Sequence, residues 1–327
     1  MQYRALGQFK VSPLALGCMG MSFGYGEVHD KKEMIKLIHK AFELGINFFD
    51  TAKAYGEYNE ELLGEAIQSI RNRVVLASKF GIYKEQAQGW ALKTDSSPKR
   101  IRLALEGSLK RLKVECLDLY YQHRVDTNTP IEQVASTMQE LIKEGKIKAW
   151  GMSEAGLESL QKAHAICPLT ALQSEYSLWH REPEKEILGF CEANNIAYVA
   201  FSPLAKGLFG GKMDKNATFS KEDFRNIVPK FSQQNLAQNY ALVEFLQTTA
   251  KNKNATPAQI ALSWILHMQR IVIPLFGTTK ETRLIENVGA LSVQWQAGEL
   301  EAFNEQLEKI HIAGERYPTH LNEKVGK

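Results

Sequence analysis

Four side chains that could take part in proton transfer lie at or just after the ends of short apolar runs. Asp50 closes one run, Tyr55 follows it in Asp50-Thr-Ala-Lys-Ala-Tyr-Gly56, and Lys79 and His123 close the next two. A free tyrosine titrates near ~10 and is a slow acid at neutral pH, but a neighbouring ammonium lowers its pKa. Asp50 would hold Lys79 charged and in place. Together these residues predict a tyrosine acid, although each alone also fits a structural role, such as a helix cap or a buried histidine.

A second group of residues could bind a phosphate. Neither G-x-G-x-x-G nor G-x-x-x-x-G-K-[ST] occurs, so the usual glycine-rich phosphate loops lack support. Thr278, Thr279 and Lys280 instead open the last predicted helix, and Arg283 lies one turn further on. Free backbone N–H groups and the helix dipole favour an anion at such a position. The same pattern also fits an ordinary helix start with exposed basic residues.

These residues must be positioned by a repeating pattern of short strands and helices. The predicted strands are Leu14–Gly17, Asn47–Asp50, Val74–Lys79, Cys116–His123, Ile147–Ser153, Ala171–Glu175, Ile196–Ser202 and Ile271–Ile273. Amphipathic helical patterns lie between them. The alternation fits an α/β fold, a (β/α)8 TIM barrel with an N-terminal hairpin and long βα loops, although a doubly wound open sheet would show similar periodicity. Active sites of such barrels lie at the carboxyl ends of the strands.

Helix starts are marked by a hydroxyl residue before proline, at Ser97-Pro98, Thr129-Pro130 and Thr256-Pro257. Thr129 and Glu132 also predict a capping box. Three segments lie outside the repeat. They are residues 3–11, expected to form a hairpin that plugs one barrel end, residues 203–235, expected to form a lid or cofactor clamp, and the tail after residue 290. Without a linker or internal repeat, we expect one domain over residues 1–327.

Composition excludes several other classes of function. Forty Lys and Arg against 37 Asp and Glu give a net charge of only +3, which supplies no field for nucleic acid or an anionic membrane. The longest apolar run, Ile196–Ala205, is about half of a bilayer span. The amino terminus lacks the pattern of a signal peptide, so we expect a cytoplasmic protein. Four dispersed cysteines and no H-E-x-x-H predict free thiols and no metal.

Six motifs in a fixed order carry a family resemblance. They are Asp50-Thr-Ala-x-x-Tyr-Gly56, Val75-Leu-Ala-Ser-Lys79, Asp118-Leu-Tyr-Tyr-Gln-His123, Gly151-Met-Ser153, Phe201-Ser-Pro-Leu204 and Ile273-Pro-Leu-Phe-Gly-Thr-Thr-Lys280. In this respect the chain resembles the aldo-keto reductases, from Leu14 to Asn287. The resemblance implies reversible hydride transfer between a nicotinamide and a small-molecule carbonyl substrate. It identifies Asp50, Tyr55, Lys79 and His123 as the catalytic tetrad, with Tyr55 protonating the developing alkoxide and His123 orienting the carbonyl.

The resemblance also implies a set of cofactor-binding residues. Arg283-Leu-Ile-Glu286-Asn287 resembles the family segment that binds the adenosine 2′-phosphate, so NADPH (NADP+) is expected rather than NADH. Lys280 and Arg283 would pair with the phosphate, and Glu286 and Asn287 would read the adenine. The remaining expected contacts are Ser153 and Gln173 to the carboxamide, Phe201 stacked on the nicotinamide, Ser202, Leu204, Lys206 and Gly207 along the pyrophosphate, and Gly277, Thr278 and Thr279 beside the phosphate.

Two positions depart from the family pattern, and the loops leave the substrate open. Glu154 stands where the family often has asparagine, and a carboxylate cannot donate to a carboxamide unless protonated. Phe201 stands where tyrosine or tryptophan is common, and still offers a stacking face. Arg225 fits a solvated loop arginine better than a pyrophosphate clamp. Aromatic loop residues, Tyr25, Trp90 in the stretch 82–96, and Trp179, together with the tail, would select an apolar or aromatic carbonyl compound.

Two other functions fit the same barrel. Potassium-channel β subunits share the resemblance and would make the chain a cofactor-sensing regulatory protein with little turnover, but they typically carry asparagine where His123 stands. An aldolase would use Lys79 to form a Schiff base, because fold alone does not determine chemistry.

Overall fold

The computed structural model describes residues 2–26, 28–83 and 93–327. An antiparallel hairpin, β1 (Arg4–Leu6) and β2 (Phe9–Val11), comes first. Eight parallel strands then form a closed barrel: β3 (Ala15–Gly17), β4 (Phe48–Asp50), β5 (Val75–Phe80), β8 (Leu117–Gln122), β9 (Ile147–Ser153), β10 (Ala171–Glu175), β11 (Ala197–Phe201) and β12 (Val272–Gly277). A small antiparallel pair, β6 (Ile82–Tyr83) and β7 (Lys93–Thr94), follows β5. The predicted (β/α)8 barrel is confirmed.

Helices follow the barrel strands along the chain and cover the outside of the barrel. They are α1 (Lys31–Glu43), α2 (Glu57–Ile67), α3 (Pro98–Leu112), α4 (Ile131–Lys143), α5 (Leu157–Ile166), α6 (Ile187–Ala193), α7 (Gln233–Asn252), α8 (Pro257–Met268), α9 (Glu281–Val288), α10 (Glu299–Leu307) and α11 (Thr319–Asn322). None of these helices, within the ranges described, is long and apolar enough to cross a membrane.

The apolar core has two layers. The larger one packs the helices against the outer face of the barrel, and the smaller one fills the barrel with side chains such as Phe48, Leu119 and Val199. Leu6 and Val11 of the first hairpin belong to the inner layer and are fully buried. The hairpin therefore closes the amino-terminal end of the barrel, as the sequence predicts, and the opposite end stays open for a ligand.

Details at the element ends differ from the sequence predictions. Thr129 is not a helix cap, because Pro130 occupies that position and the Thr129 hydroxyl donates to Asp126 Oδ2 at 2.8 Å instead. The capping box with Glu132 is therefore wrong, whereas Thr256 forms one with Gln259. Ser97 stands at the cap position of α3 without a capping hydrogen bond. Strand β12 continues past Ile273 through proline, because a proline removes only one N–H from the ladder.

Candidate functional site

A cleft of about 670 Å³ opens at the carboxyl ends of the barrel strands. Side chains alternate along a strand, so residues two apart point the same way. In β4, β5 and β8 the inward-facing residues include Phe48, Ala77 and Tyr121, and the next inward positions are Asp50, Lys79 and His123. The same alternation in β9, β10 and β11 brings Ser153, Gln173 and Phe201 to the mouth. The residues predicted from separate strand ends thus meet in one place.

Tyr55 reaches this mouth through a tight turn. A 3-10 turn, Lys53–Tyr55, follows β4 directly, and Gly56 then starts α2 with φ of +99°, which glycine adopts at little cost. The Tyr55 ring lies edge-on to His123 at 5.7 Å between centroids and is stacked on Phe23 at 5.9 Å. The hydroxyl is therefore held beside the imidazole at the base of the cleft.

Lys79 lies behind Tyr55 and does not line the cleft. Its side chain is fully buried, and Nζ donates to Asp50 Oδ1, to the Thr51 carbonyl at 2.9 Å and to Tyr55 Oη at 3.4 Å. Gln173 Nε2 donates to the other Asp50 oxygen at 2.9 Å. A continuous hydrogen-bonded chain thus runs from Gln173 through Asp50 and Lys79 to the tyrosine hydroxyl.

Burial changes the proton affinities of these groups. It raises the pKa of Tyr55, and the charge of Lys79, which lowers that pKa as the sequence predicts, offsets only part of the rise. Burial lowers the pKa of Lys79, but the charge of Asp50, the Tyr55 oxygen and the hydrogen bonds to both together outweigh burial, and the net shift is upward. Asp50 contacts Lys79 in a buried ion pair, and its role in keeping Lys79 charged stays a prediction. Tyr55 is therefore a protonated donor in contact with an ammonium.

His123 is a neutral imidazole at physiological pH. Burial lowers its pKa well below the ordinary value, and the charges of Arg124 and Lys79 lower it further. Its Nδ1 is buried without a hydrogen-bond partner among the described residues. A neutral histidine has one N–H to donate, which suits it to hold a carbonyl oxygen without becoming a competing acid.

All the predicted cofactor-binding residues line the same cleft, together with Asp50, Tyr55 and His123. They are Ser153, Gln173, Phe201, Ser202, Leu204, Lys206, Gly207, Gly277, Thr278, Thr279, Lys280, Arg283, Glu286 and Asn287. Three of them, Lys206, Arg283 and Glu286, form ion pairs within the protein. Lys206 is buried with Nζ 3.3 Å from Glu175, and Arg283 is paired with Glu286.

Glu154 anchors the carboxyl-terminal tail. It has φ of +56°, is buried, and its Oε1 accepts from Arg316 Nη2 and from the Ser174 hydroxyl, both at 2.6 Å. Arg316 Nε also donates to Glu175 at 2.7 Å. Burial raises the pKa of Glu154, but the charges of Arg316 and Arg124 and the hydrogen bonds from Arg316 and Ser174 together outweigh burial, and the net shift is downward. Glu154, which departs from the family pattern, is therefore ionised and paired with Arg316, far along the chain.

The loops contribute unequally to the cleft. Tyr25 and the tail residues Tyr317, Leu321 and Val325 line it. Trp179 does not line it, because that ring is buried against Phe209, Phe231 and the Lys230 ammonium. Its proposed place in substrate selection is wrong. Trp90 lies outside the described residues.

The long segment before α7 crosses toward the first βα loop. Phe224 N donates to the Gly24 carbonyl at 3.0 Å, and Tyr25 forms a bridge with Asp223. Arg225 is paired with Asp223 and lies over the Tyr25 ring at 5.2 Å, while also lining the cleft. The Arg225 side chain is thus fixed by contacts with Asp223 and Tyr25, whereas the sequence favours a solvated loop arginine.

Sequence reasoning missed two arginines. Arg124 lines the cleft, and its place directly after the motif that ends at His123 was a usable signal. Arg316 lies in the tail, outside the strand–helix repeat, and no local pattern connects it to Glu154. Only the folded chain brings Arg316 and Glu154 together.

Comparison with known proteins agrees with the fold and the site. Residues 13–308 match the profile of the Aldo/keto reductase family. Probable aldo-keto reductase 1 from Glycine max is 41% identical over 322 residues, which cover 96% of this chain and 90% of that protein.

Solved structures show the same likeness. The glycerol dehydrogenase AKR11B4 from Gluconobacter oxydans superimposes with a TM-score of 0.86 at 30% identity, covering 96% of this chain and 97% of its own. The holo form of the aldo-keto reductase AKR11C1 from Bacillus halodurans, at 24% identity, shares the fold with a TM-score of 0.76, covering 98% and 99% of the two chains. With a family match over most of its length and a relative at 41% identity, this chain belongs to the aldo/keto reductase family.

Proposed function

We propose that this protein is an NADPH-dependent reductase of aldehydes and ketones. The observation that carries the proposal is the Tyr55 hydroxyl at the base of an open cleft, 3.4 Å from a buried ammonium and beside a neutral imidazole.

The residues would divide the work as follows. The residues that line the cleft would hold NADPH, whose chemistry there would be donation of a hydride to the carbonyl carbon. Tyr55 Oη gives its proton to the carbonyl oxygen, so that an alcohol forms and the transient phenolate is stabilised by the Lys79 ammonium. Because Lys79 is held by Asp50 and the Thr51 carbonyl, this stabilising charge needs no rearrangement during the reaction. His123 would donate to the same oxygen and fix its direction.

The cleft fits a dinucleotide with an extra phosphate. Helix α9 begins after Lys280 without a side-chain cap, which leaves its first N–H groups free for an anion. Ser202, Ala205 and Lys206 hold φ of +51°, +50° and +53° in the loop after β11, a costly backbone for residues other than glycine. Such strain is typical of segments shaped around a ligand. Lys280 and Arg283 would bind the 2′-phosphate.

The buried state of Lys79 argues against an aldolase. A Schiff-base lysine must reach its substrate and lose its proton. Lys79 is fully buried, lies behind Tyr55, and has a raised pKa because its interactions with Asp50 and Tyr55 together outweigh the effect of burial.

The test is Tyr55→Phe, with Tyr58→Phe as the matched control. Tyr58 lies in α2, does not line the cleft, and its hydroxyl donates to the His29 carbonyl. NADPH oxidation is followed on a panel of aldehydes and ketones, and cofactor binding by tryptophan fluorescence. We expect Tyr55→Phe to lose at least about a hundredfold in kcat while still binding NADPH. Unchanged turnover in Tyr55→Phe would remove Tyr55 as the acid, and no turnover by the parent protein would refute the proposed function.

A further inference from the structure

Arg124 lies beside the reacting groups of the cleft and is held there at one nitrogen. Its Nη1 donates to the His123 carbonyl at 2.6 Å and to the Ser153 hydroxyl at 3.2 Å. A guanidinium carries five N–H donors in a planar fork. Nη2 and Nε have no hydrogen-bond partner among the described residues, and the side chain is half-buried along the wall of the cleft. Arg124 therefore offers a fixed pair of donors to whatever enters.

Among the described residues, Arg124 differs from its charged neighbours because it has no carboxylate within ion-pair distance. Lys79 is paired with Asp50, Lys206 with Glu175, and Arg316 with both Glu154 and Glu175. Within residues 2–26, 28–83 and 93–327, no carboxylate forms an ion pair with Arg124. A half-buried cation without a counter-ion favours binding of an anion, because the surrounding protein screens its charge less than water does.

The expected phosphate site lies across the barrel from Arg124. Arg124 follows β8, while Thr278, Thr279 and Lys280 follow β12. In the closed order β12-β3-β4-β5-β8-β9-β10-β11, these two strands are four steps apart in both directions. A 2′-phosphate at the start of α9 would thus leave the Arg124 charge unmet. The missing anion belongs at the catalytic end, beside His123 and Tyr55.

We propose that Arg124 forms a carboxylate subsite, so that the preferred substrates are aldehydes or ketones that carry a carboxylate group. The inference rests on the proposed function and adds the substrate class. The planar fork matches the two oxygens of a carboxylate. Tyr317, Leu321 and Val325 of the tail line the same cleft and supply an apolar wall for the carbon skeleton between the carboxylate and the carbonyl.

The test compares 4-carboxybenzaldehyde with methyl 4-formylbenzoate, which has the same ring and aldehyde but no charge. The measured quantity is the ratio of kcat/KM for the acid to kcat/KM for the ester, so that differences in folding or cofactor affinity cancel. We expect Arg124→Met to lower this ratio at least about tenfold, as for the loss of a charge-assisted hydrogen-bonded pair. Arg124→Lys should give an intermediate ratio, because it keeps the charge and loses the fork.

Lys212→Met is the matched control, because Lys212 also lines the cleft and has no ion pair in the part of the chain that is described. It removes the same charge from the loop after β11 and should change the ratio less than threefold. A ratio that falls equally in both variants would mean a general field effect and would overturn the subsite. A change below threefold in Arg124→Met would also overturn it.

A binding measurement separates this inference from the proposed function. If the parent protein oxidises no NADPH with either aldehyde, the proposed function fails, and calorimetric titration with benzoate then tests the subsite alone. Binding that weakens at least tenfold in Arg124→Met and not in Lys212→Met would support it. Equal benzoate affinity in all three proteins would refute it.

Discussion

The buried charges that hold the tail allow a stability prediction from the structure. Arg316→Met removes a guanidinium that bonds Glu154 at 2.6 Å and Glu175 at 2.7 Å, and both carboxylate side chains are fully buried. Removing one partner of a buried ion pair costs about 3–5 kcal/mol, because the other charge is left without compensation. Glu175 keeps Lys206, so most of the loss falls on Glu154.

The assay is urea unfolding followed by circular dichroism at pH 7.5, on Arg316→Met, Glu154→Gln and the double variant. We expect Arg316→Met to lower the free energy of unfolding by about 3–5 kcal/mol. In that background, Glu154→Gln should cost much less than it costs in the parent protein, because it removes the unpaired charge. This non-additivity is the signature of a direct interaction.

The local stability of the tail should fall as well. The tail backbone is tied to the Glu154 loop by Gly326 N to the Glu154 carbonyl at 2.9 Å and by Gly156 N to the Lys327 carbonyl at 2.8 Å. Amide hydrogen exchange over residues 315–327 should therefore accelerate in Arg316→Met. A loss below about 1 kcal/mol, or strictly additive effects of the two substitutions, would refute the role given to this cluster.

Two further predictions concern the cofactor and pH. Lys280→Ala/Arg283→Ala should weaken NADPH binding at least about tenfold and NADH binding far less, measured by tryptophan fluorescence, since these residues are proposed to contact the 2′-phosphate. Equal losses for both cofactors would contradict that assignment. Burial, with Arg316 and Lys230 nearby, lowers the pKa of His180 to about 4 from 6.5. Between these values the unfolded chain binds a proton that the folded chain does not, so the free energy of unfolding should fall by up to about 3 kcal/mol as the pH drops from 6.5 to 4. His180→Gln should flatten this part of the profile, and an unchanged slope would count against the shift.

The positions of the expected site residues follow from periodicity that is visible in the sequence. Each barrel strand is short and apolar, and alternation along it places Asp50, Lys79 and His123 on the inward face at the carboxyl end. Parallel strands share that end, so residues far apart in the chain converge without any knowledge of their contacts. For this reason, most of the candidate site residues expected at the carboxyl ends of the predicted strands line the cleft.

Helix ends were predicted less accurately than strands. Thr129 has the residue type of a cap, yet its hydroxyl donates to Asp126, which also accepts from the backbone of Ser96. A cap depends on which of several nearby partners a small hydroxyl finds, and the surrounding loop decides that choice. Trp179 was misread for a related reason, since an aromatic residue in a loop can line a cleft or fill the core.

The sequence by itself determined the strand–helix alternation, the family resemblance that favours the barrel over an open sheet, and the set of residues at the mouth, because strand period and motif order are local properties. The tertiary structure decided the electrostatics. Burial, a property of the whole fold, makes the net pKa shift of Tyr55 upward and keeps His123 neutral. It also decided that Glu154 pairs with Arg316, 162 positions away, and that Arg124 has no ion pair with any carboxylate in the described part of the chain. Charge pairing depends on distance in space and on exclusion of water, and neither is written in the spacing of residues along the chain.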